Sequence, residues 1–114
     1  MANQNSPVRE IEWIGSTVVA RIAGDIDLNR SPQFQHSLLE LLDRKPRRLI
    51  VNLADVKYMD SSGIASLVKL LSRTRKAGLI LRLAALNDQP RKAFEITLLD
   101  TAFEIFKTEM EALA

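Results

Sequence analysis

Leu49-Ile50-Val51-Asn52-Leu53-Ala54-Asp55-Val56-Lys57-Tyr58-Met59-Asp60-Ser61-Ser62-Gly63-Ile64 changes its apolar period partway along. From Leu49 to Leu53 the run is apolar except for Asn52, which fits a short strand covered on both faces. From Ile64 onward the period is helical: Ile64, Leu67, Val68 and Leu71 fall on one stripe. Between the two stands Asp60-Ser61-Ser62-Gly63. Two hydroxyls, flanked by an acid and a glycine, are therefore expected where a buried strand hands over to a helix. Such junctions are where open α/β sheets carry function.

Working outward, the pattern predicts strands over 8–14 and 17–23, joined as a hairpin by Gly15-Ser16. Trp13 is expected to pack on the sheet. Gly24-Asp25-Ile26-Asp27-Leu28-Asn29 leaves the second strand. Ser31-Pro32 starts a helix, with Ser31 able to cap and Pro32 suited to the first turn. Phe34, Leu38, Leu41 and Leu42 form its stripe, His36 points off it, and Pro46 stops the helix near Arg44. A third strand covers 48–53, a second helix 62–77 with Gly78 beyond its end, and a fourth strand 79–85. These three make a βαβ unit with the usual right-handed crossover. Pro90 opens a third helix whose Phe94, Thr97 and Leu98 are expected to face the sheet. Phe103, Ile105 and Phe106 suggest a short last strand, and 109–113 a closing helical turn. The expected fold is α/β: a small mixed β-sheet of four to five strands with three to four helices packed on it, in one domain spanning residues 1–114.

Composition narrows the function. The 114 residues carry a formal charge of only +2, too little bias to imply nucleic acid. The densest basic run, Arg44-Lys45-Pro46-Arg47-Arg48, reads as a solvated loop. With no cysteine, disulfides and thiolate chemistry are excluded, which suits a cytoplasmic protein. The first residues lack the basic and apolar regions of a secretory signal. No apolar run approaches the ~18 residues of a membrane span. The single histidine leaves a Ser-His-acid triad without a base, and neither metal-ligand spacing nor a phosphate-cradling glycine loop is present. Asp25, Asp27, Asp55 and Asp60 can converge at one end of the sheet, where carboxylates ordinarily serve as caps and turns. The residues point to no catalytic group, no metal and no cofactor.

Asp60, Ser61 and Ser62 are all good N-cap residues, and capping is the plain reading of the motif. A hydroxyl at a helix N-terminus can also accept a phosphate, which the free backbone N–H groups and the positive end of the dipole would tolerate.

An apolar strand, an acidic turn and Asp60-Ser61-Ser62-Gly63 before an apolar helix resemble the STAS domain of anti-sigma-factor antagonists. The likeness extends to Gly24-Asp25-Ile26-Asp27, to Arg91-Lys92-Ala93-Phe94-Glu95-Ile96-Thr97-Leu98-Leu99 and to the ending over 109–113. It implies a phosphorylation-switched binding module rather than an enzyme, with Ser61 as phosphoacceptor. Asp27, Asp60, Ser61, Ser62 and Gly63 are implied as partner-binding residues. The implied partners are an anti-sigma factor with serine kinase activity and a phosphoserine phosphatase. The alternative within the resemblance is a STAS subunit of a signalling scaffold or of a lipid or anion transporter complex. Two positions depart from the family pattern: Ala65 stands where it often has glycine after the motif, and Leu98 where it often has glycine after the third helix.

Overall fold

The computed structural model describes residues 6–114, so the reading of the first residues as carrying no secretory signal falls outside the described part. β1 (Val8–Ile14) and β2 (Thr17–Ala23) pair antiparallel about the expected turn, with Trp13 opposite Val18. From there every strand runs parallel to β2. α1 (Ser31–Asp43) leads to β3 (Arg48–Asp55), α2 (Ser61–Ala77) to β4 (Ile80–Ala84), and α3 (Asp88–Ile96) to β5 (Glu104–Phe106). The order across the sheet is β1-β2-β3-β4-β5, with β1 the one antiparallel strand. Each helical crossover thus joins neighbouring strands, and α4 (Glu109–Leu113) closes the described chain.

Period-two alternation divides the sheet into two unequal faces. On one face Val18, Ala20, Ile22, Leu49, Val51, Leu53, Leu81 and Leu83 meet Phe34 and Leu38 of α1, Leu67 and Leu70 of α2, and Phe94 of α3. This is the main core. On the other face Val19, Ile50 and Ala84 are covered by Ala112 of α4. That short helix is held by ions. Arg21 donates to Glu109 from Nε at 2.9 Å and from Nη2 at 2.7 Å, and Asn52 Nδ2 donates to Glu109 Oε1 at 2.8 Å. Arg21 also pairs with Glu10 and Glu12 of β1. β3 is therefore covered on both faces, and Asn52, the one polar residue in its apolar run, is spent on Glu109.

Several expectations are corrected. Ser31 does not cap α1: Arg30 occupies the N-cap position, and Ser31 is a buried helical residue. The side chain that serves this turn is Asp27, whose Oδ1 accepts from the Asn29 and Arg30 amides at 3.0 and 3.1 Å. α2 starts at Ser61 rather than 62, and its buried face is Ile64, Leu67, Leu70 and Thr74. Val68 is 40% exposed, because at 100° per residue it lies on the far side of Ile64 from a buried face centred on Gly63, Leu67, Leu70 and Thr74. Leu71 is half-buried and packs at the rim of the core. Trp13 lies against the sheet but is 40% exposed, as β1 is an edge strand with little helix over it. Thr97 and Leu98 do not face the sheet. Phe94 is fully buried and packs edge-to-face on Phe103 at 5.3 Å, while Leu98 is 72% exposed. α3 ends at Ile96. Leu98 turns the chain in the left-handed conformation (φ 60, ψ 17) and a 3-10 turn follows over Leu99–Thr101.

Candidate functional site

β2 and β3 end at the same edge of the sheet, and the loops leaving them are tied to each other. Gly24 N donates to Asp55 O at 3.0 Å, Ile26 N to Tyr58 O at 3.0 Å, and Asp60 N to Ile26 O at 3.0 Å. Ile26 and Met59 form an isolated parallel bridge, both with fully buried side chains. The register places Asp27 and Asp60 on adjacent extended segments. Of the four carboxylates expected at this edge, Asp25 and Asp55 belong to the first tie and Asp27 and Asp60 to the second. Among the described residues no group of acids and histidines is placed to hold a metal ion.

Each loop needs its glycine for a different reason. Gly24 has φ +88, and a Cβ there would fall 2.3 Å from Arg30 Nη1. The Arg30 guanidinium lies over Gly24 to donate to Asp25 O at 2.8 Å and Ala23 O at 3.2 Å, stapling the loop that presents Asp27. Gly63 is helical, and a Cβ would fall 2.6 Å from Met59 Cγ and 2.7 Å from Ile26 Cγ2. The first turn of α2 is thus pressed onto the Ile26–Met59 bridge as closely as backbone allows.

The first turn also separates the two hydroxyls. Asp60 is the N-cap, and its Oδ1 accepts from Ser62 N at 2.9 Å, from Gly63 N at 3.4 Å and from the Ser62 hydroxyl. The Ser62 hydroxyl, followed by the Ser62 and Gly63 amides, holds the Asp60 carboxyl below the usual aspartate range; the Leu28 amide of the neighbouring loop adds to this. Ser62 is half-buried and its hydroxyl is committed. Ser61 is exposed, and no hydrogen bond to its hydroxyl is found among the described residues. Of the three candidate caps, Asp60 takes the role. Ser62 N and Gly63 N already serve Asp60, and no hydrogen bond from Ser61 N is found among the described residues.

Three supporting residues were not foreseen. Asn87 Nδ2 donates to Ala54 O at 2.9 Å and Val56 O at 2.8 Å. Gln89 accepts from Met59 N at 2.8 Å and donates to Met59 O at 3.1 Å. Together they brace the β3–α2 loop from the α3 side, as Arg30 braces the other loop. Asn87-Asp88-Gln89-Pro90 signals a helix start, and nothing in that local signal tells that two of its amides are spent on a loop some thirty positions earlier. Around this rigid base two apolar side chains stand in solvent, Leu28 at 75% and Tyr58 at 44% exposure. His36 lies elsewhere, exposed on α1 and 2.8 Å from Glu40.

Comparison with known proteins agrees with this architecture. The family model of the STAS domain matches residues 8–112. The anti-sigma-B factor antagonist of Bacillus subtilis is 31% identical over 103 residues, 90% of this chain and 91% of that protein. Among solved structures, an anti-sigma factor antagonist from Mycobacterium paratuberculosis superposes with a TM-score of 0.85 at 22% identity, covering 91% of this chain and 88% of that one. The Bacillus cell fate determinant SpoIIAA in its phosphorylated form superposes with a TM-score of 0.71 at 23% identity, covering 91% and 95%.

Proposed function

The chain belongs to the STAS domain family, and from that premise we propose that it is an anti-sigma-factor antagonist switched by phosphorylation of Ser61. Unphosphorylated, it binds an anti-sigma factor that is also a serine kinase, and the sigma factor is released. The contact surface is the loop edge carrying Asp27, Asp60, Ser61, Ser62 and Gly63. The chain turns over nothing itself. In the modification step a bond forms between Ser61 Oγ and the terminal phosphorus of the partner's nucleotide, the nucleoside diphosphate leaves, and the hydroxyl proton passes to the partner. A phosphoserine phosphatase restores the hydroxyl.

The observation that carries this reading is the inequality of the two serines. Ser61 is exposed and unengaged at the head of α2, while Ser62 is half-buried with its hydroxyl donating to Asp60. A kinase approaching this edge meets one free hydroxyl. The loops presenting it are fixed from both sides, so the hydroxyl is offered at a defined place and little ordering entropy is lost on docking. A phosphate adds about −1.5 to −2 charges. Against a partner carboxylate ~6 Å away, at an effective dielectric near 20, each added unit costs about 3 kcal/mol. That is roughly a hundredfold in affinity, enough to dissociate the complex.

Affinity capture with the unphosphorylated chain, followed by mass spectrometry of the partners and of the Ser61 peptide, tests this. Recovery of a kinase-type anti-sigma factor and a phosphate on Ser61 is the expected result. Recovery of a transporter or of scaffold subunits, with Ser61 unmodified, would move the chain to the other known setting of this fold.

A further inference from the structure

The sheet has two edges, and they differ in length. β5 is three residues long, whereas β1 pairs with β2 in regular register from Glu10 to Ile14, beyond a bulge at Arg9. Gly15-Ser16 is a two-residue turn with Gly15 at φ +61, so its flanking pair, Ile14 and Thr17, is a hydrogen-bonded one. Antiparallel alternation then commits the backbone groups of Glu10, Glu12 and Ile14 to β2 and turns the N–H and C=O groups of Ile11 and Trp13 outward. Among the described residues nothing pairs with them. The side chains divide by face. Ile11 lies opposite Ala20 and Trp13 opposite Val18, on the helix side of the sheet, and both are exposed. Glu12 lies opposite Val19 and Glu10 opposite Arg21, on the α4 side. Arg21 Nη1 is 3.0 Å from Glu10, and its Nη2 is 2.9 Å from Glu12 and 2.7 Å from Glu109. One guanidinium thus answers three carboxylates, and both β1 glutamates remain exposed. Over 10–14 the edge carries two acids and no base, since Arg9 sits in the bulge.

We propose that the β1 edge takes up an extended segment of another protein in which basic and apolar residues alternate. Added antiparallel, such a segment exchanges backbone hydrogen bonds with Ile11 and Trp13 and lays its apolar side chains on theirs. The same register sets one basic side chain opposite Glu12 and another opposite Glu10. Trp13 supplies the large apolar anchor on which contacts of this kind depend. A second copy of the chain does not fit. An antiparallel pair of two β1 strands that sets each Ile11 against the other copy's Trp13 also sets the two Glu12 side chains against each other, and like charges directly opposite are destabilising. The loops that present Ser61 follow β2 and β3 rather than β1, so the inference stands apart from the proposed switch and can fail or hold without it.

The test is a backbone-amide NMR titration of the full chain with the end-capped peptide Thr-Lys-Val-Lys-Val-Thr. Saturable shifts are expected at residues 10–14 and, across the ladder, at 17–21. The same peptide with both valines N-methylated keeps its charge and apolar surface but loses the donors that face Ile11 and Trp13. It should bind about tenfold more weakly or worse. Glu12→Lys should weaken the unmodified peptide about fivefold or more, because a surface attraction becomes a repulsion of like size. Glu95→Lys, the same charge change on α3, should leave binding unaltered. The proposal is overturned if the N-methylated peptide binds as well as the unmodified one, if Thr-Glu-Val-Glu-Val-Thr binds equally, if Glu95→Lys weakens binding as much as Glu12→Lys, or if no saturable shift is seen. Shifts of the same amides on raising the protein concentration alone would also overturn it, by making a second copy the occupant.

Discussion

At the scale of single residues, the site depends on side chains whose local roles conflict with their average preferences. Glycine inside a helix ordinarily costs about 1 kcal/mol relative to alanine. At position 63 that preference is reversed, because a methyl group would meet the buried Ile26 and Met59 side chains well inside contact distance. Overpacking of this kind costs about 1–3 kcal/mol. Gly63→Ala should therefore lower the midpoint of chemical unfolding despite its better helix propensity, and an unchanged or raised midpoint would place the first turn of α2 farther from the bridge. Asp60 is the cap, so its ionised carboxylate supports the fold. Its depressed pKa makes that support fully present above the ordinary aspartate range and lost as pH falls through the depressed value. Asp60→Asn keeps a good cap without the charge. The variant should be less stable than wild type at neutral pH, and the gap should close under acid, as followed by thermal unfolding across pH. Ser61, whose hydroxyl is not part of the cap, should tolerate alanine with little change in stability.

At the scale of elements, the strand–motif–helix junction was legible because a short continuous apolar run gives way to a 3.6-residue apolar period across Asp60-Ser61-Ser62-Gly63. The stripe of α2 was misplaced at Val68 because i+3 and i+4 from Ile64 are both apolar, and spacing alone does not tell on which side of Ile64 the buried face is centred. The structure separates the two positions sharply. Leu67→Ala should cost about 2–5 kcal/mol as a buried truncation, whereas Val68→Ala should stay within ~0.5 kcal/mol as a surface change; urea unfolding of both variants decides. α3 was misread at its end for a different reason. Nothing in Thr97-Leu98-Leu99 announces a left-handed residue, since leucine pays about 1–2 kcal/mol for that conformation. Leu98 nevertheless adopts it in solvent, giving up little packing. Leu98→Gly should raise stability by up to ~1 kcal/mol, after the greater entropy glycine loses on folding is set against the relieved strain. A loss of stability would mean that the exposed leucine makes a contact that offsets its strain.

At the scale of the whole molecule, the parallel arrangement of β2, β3 and β4 sends their C-terminal loops to one edge and their basic starts to the other. The Ser61 edge is braced from both sides by residues far apart in sequence, Arg30 on one flank and Asn87 with Gln89 on the other. This bracing escaped the sequence reading because it depends on which helix starts beside which loop, a property of strand order. On the proposed switch, a change of charge at Ser61 is expected to act on docking rather than on folding. The dipole end of α2 favours an added negative charge by ~0.3–1 kcal/mol, and the adjacent Asp60 carboxylate opposes it at similar screened strength. The central claim is thus an affinity change at nearly constant stability. Calorimetric titration of wild type, Ser61→Asp and Ser61→Ala against the cognate anti-sigma kinase, beside their melting curves, tests it most directly. Ser61→Asp should bind at least tenfold more weakly with its melting midpoint little moved, and Ser61→Ala should bind as wild type does. Equal affinity for all three, or phosphate found on Ser62 alone, would contradict the account.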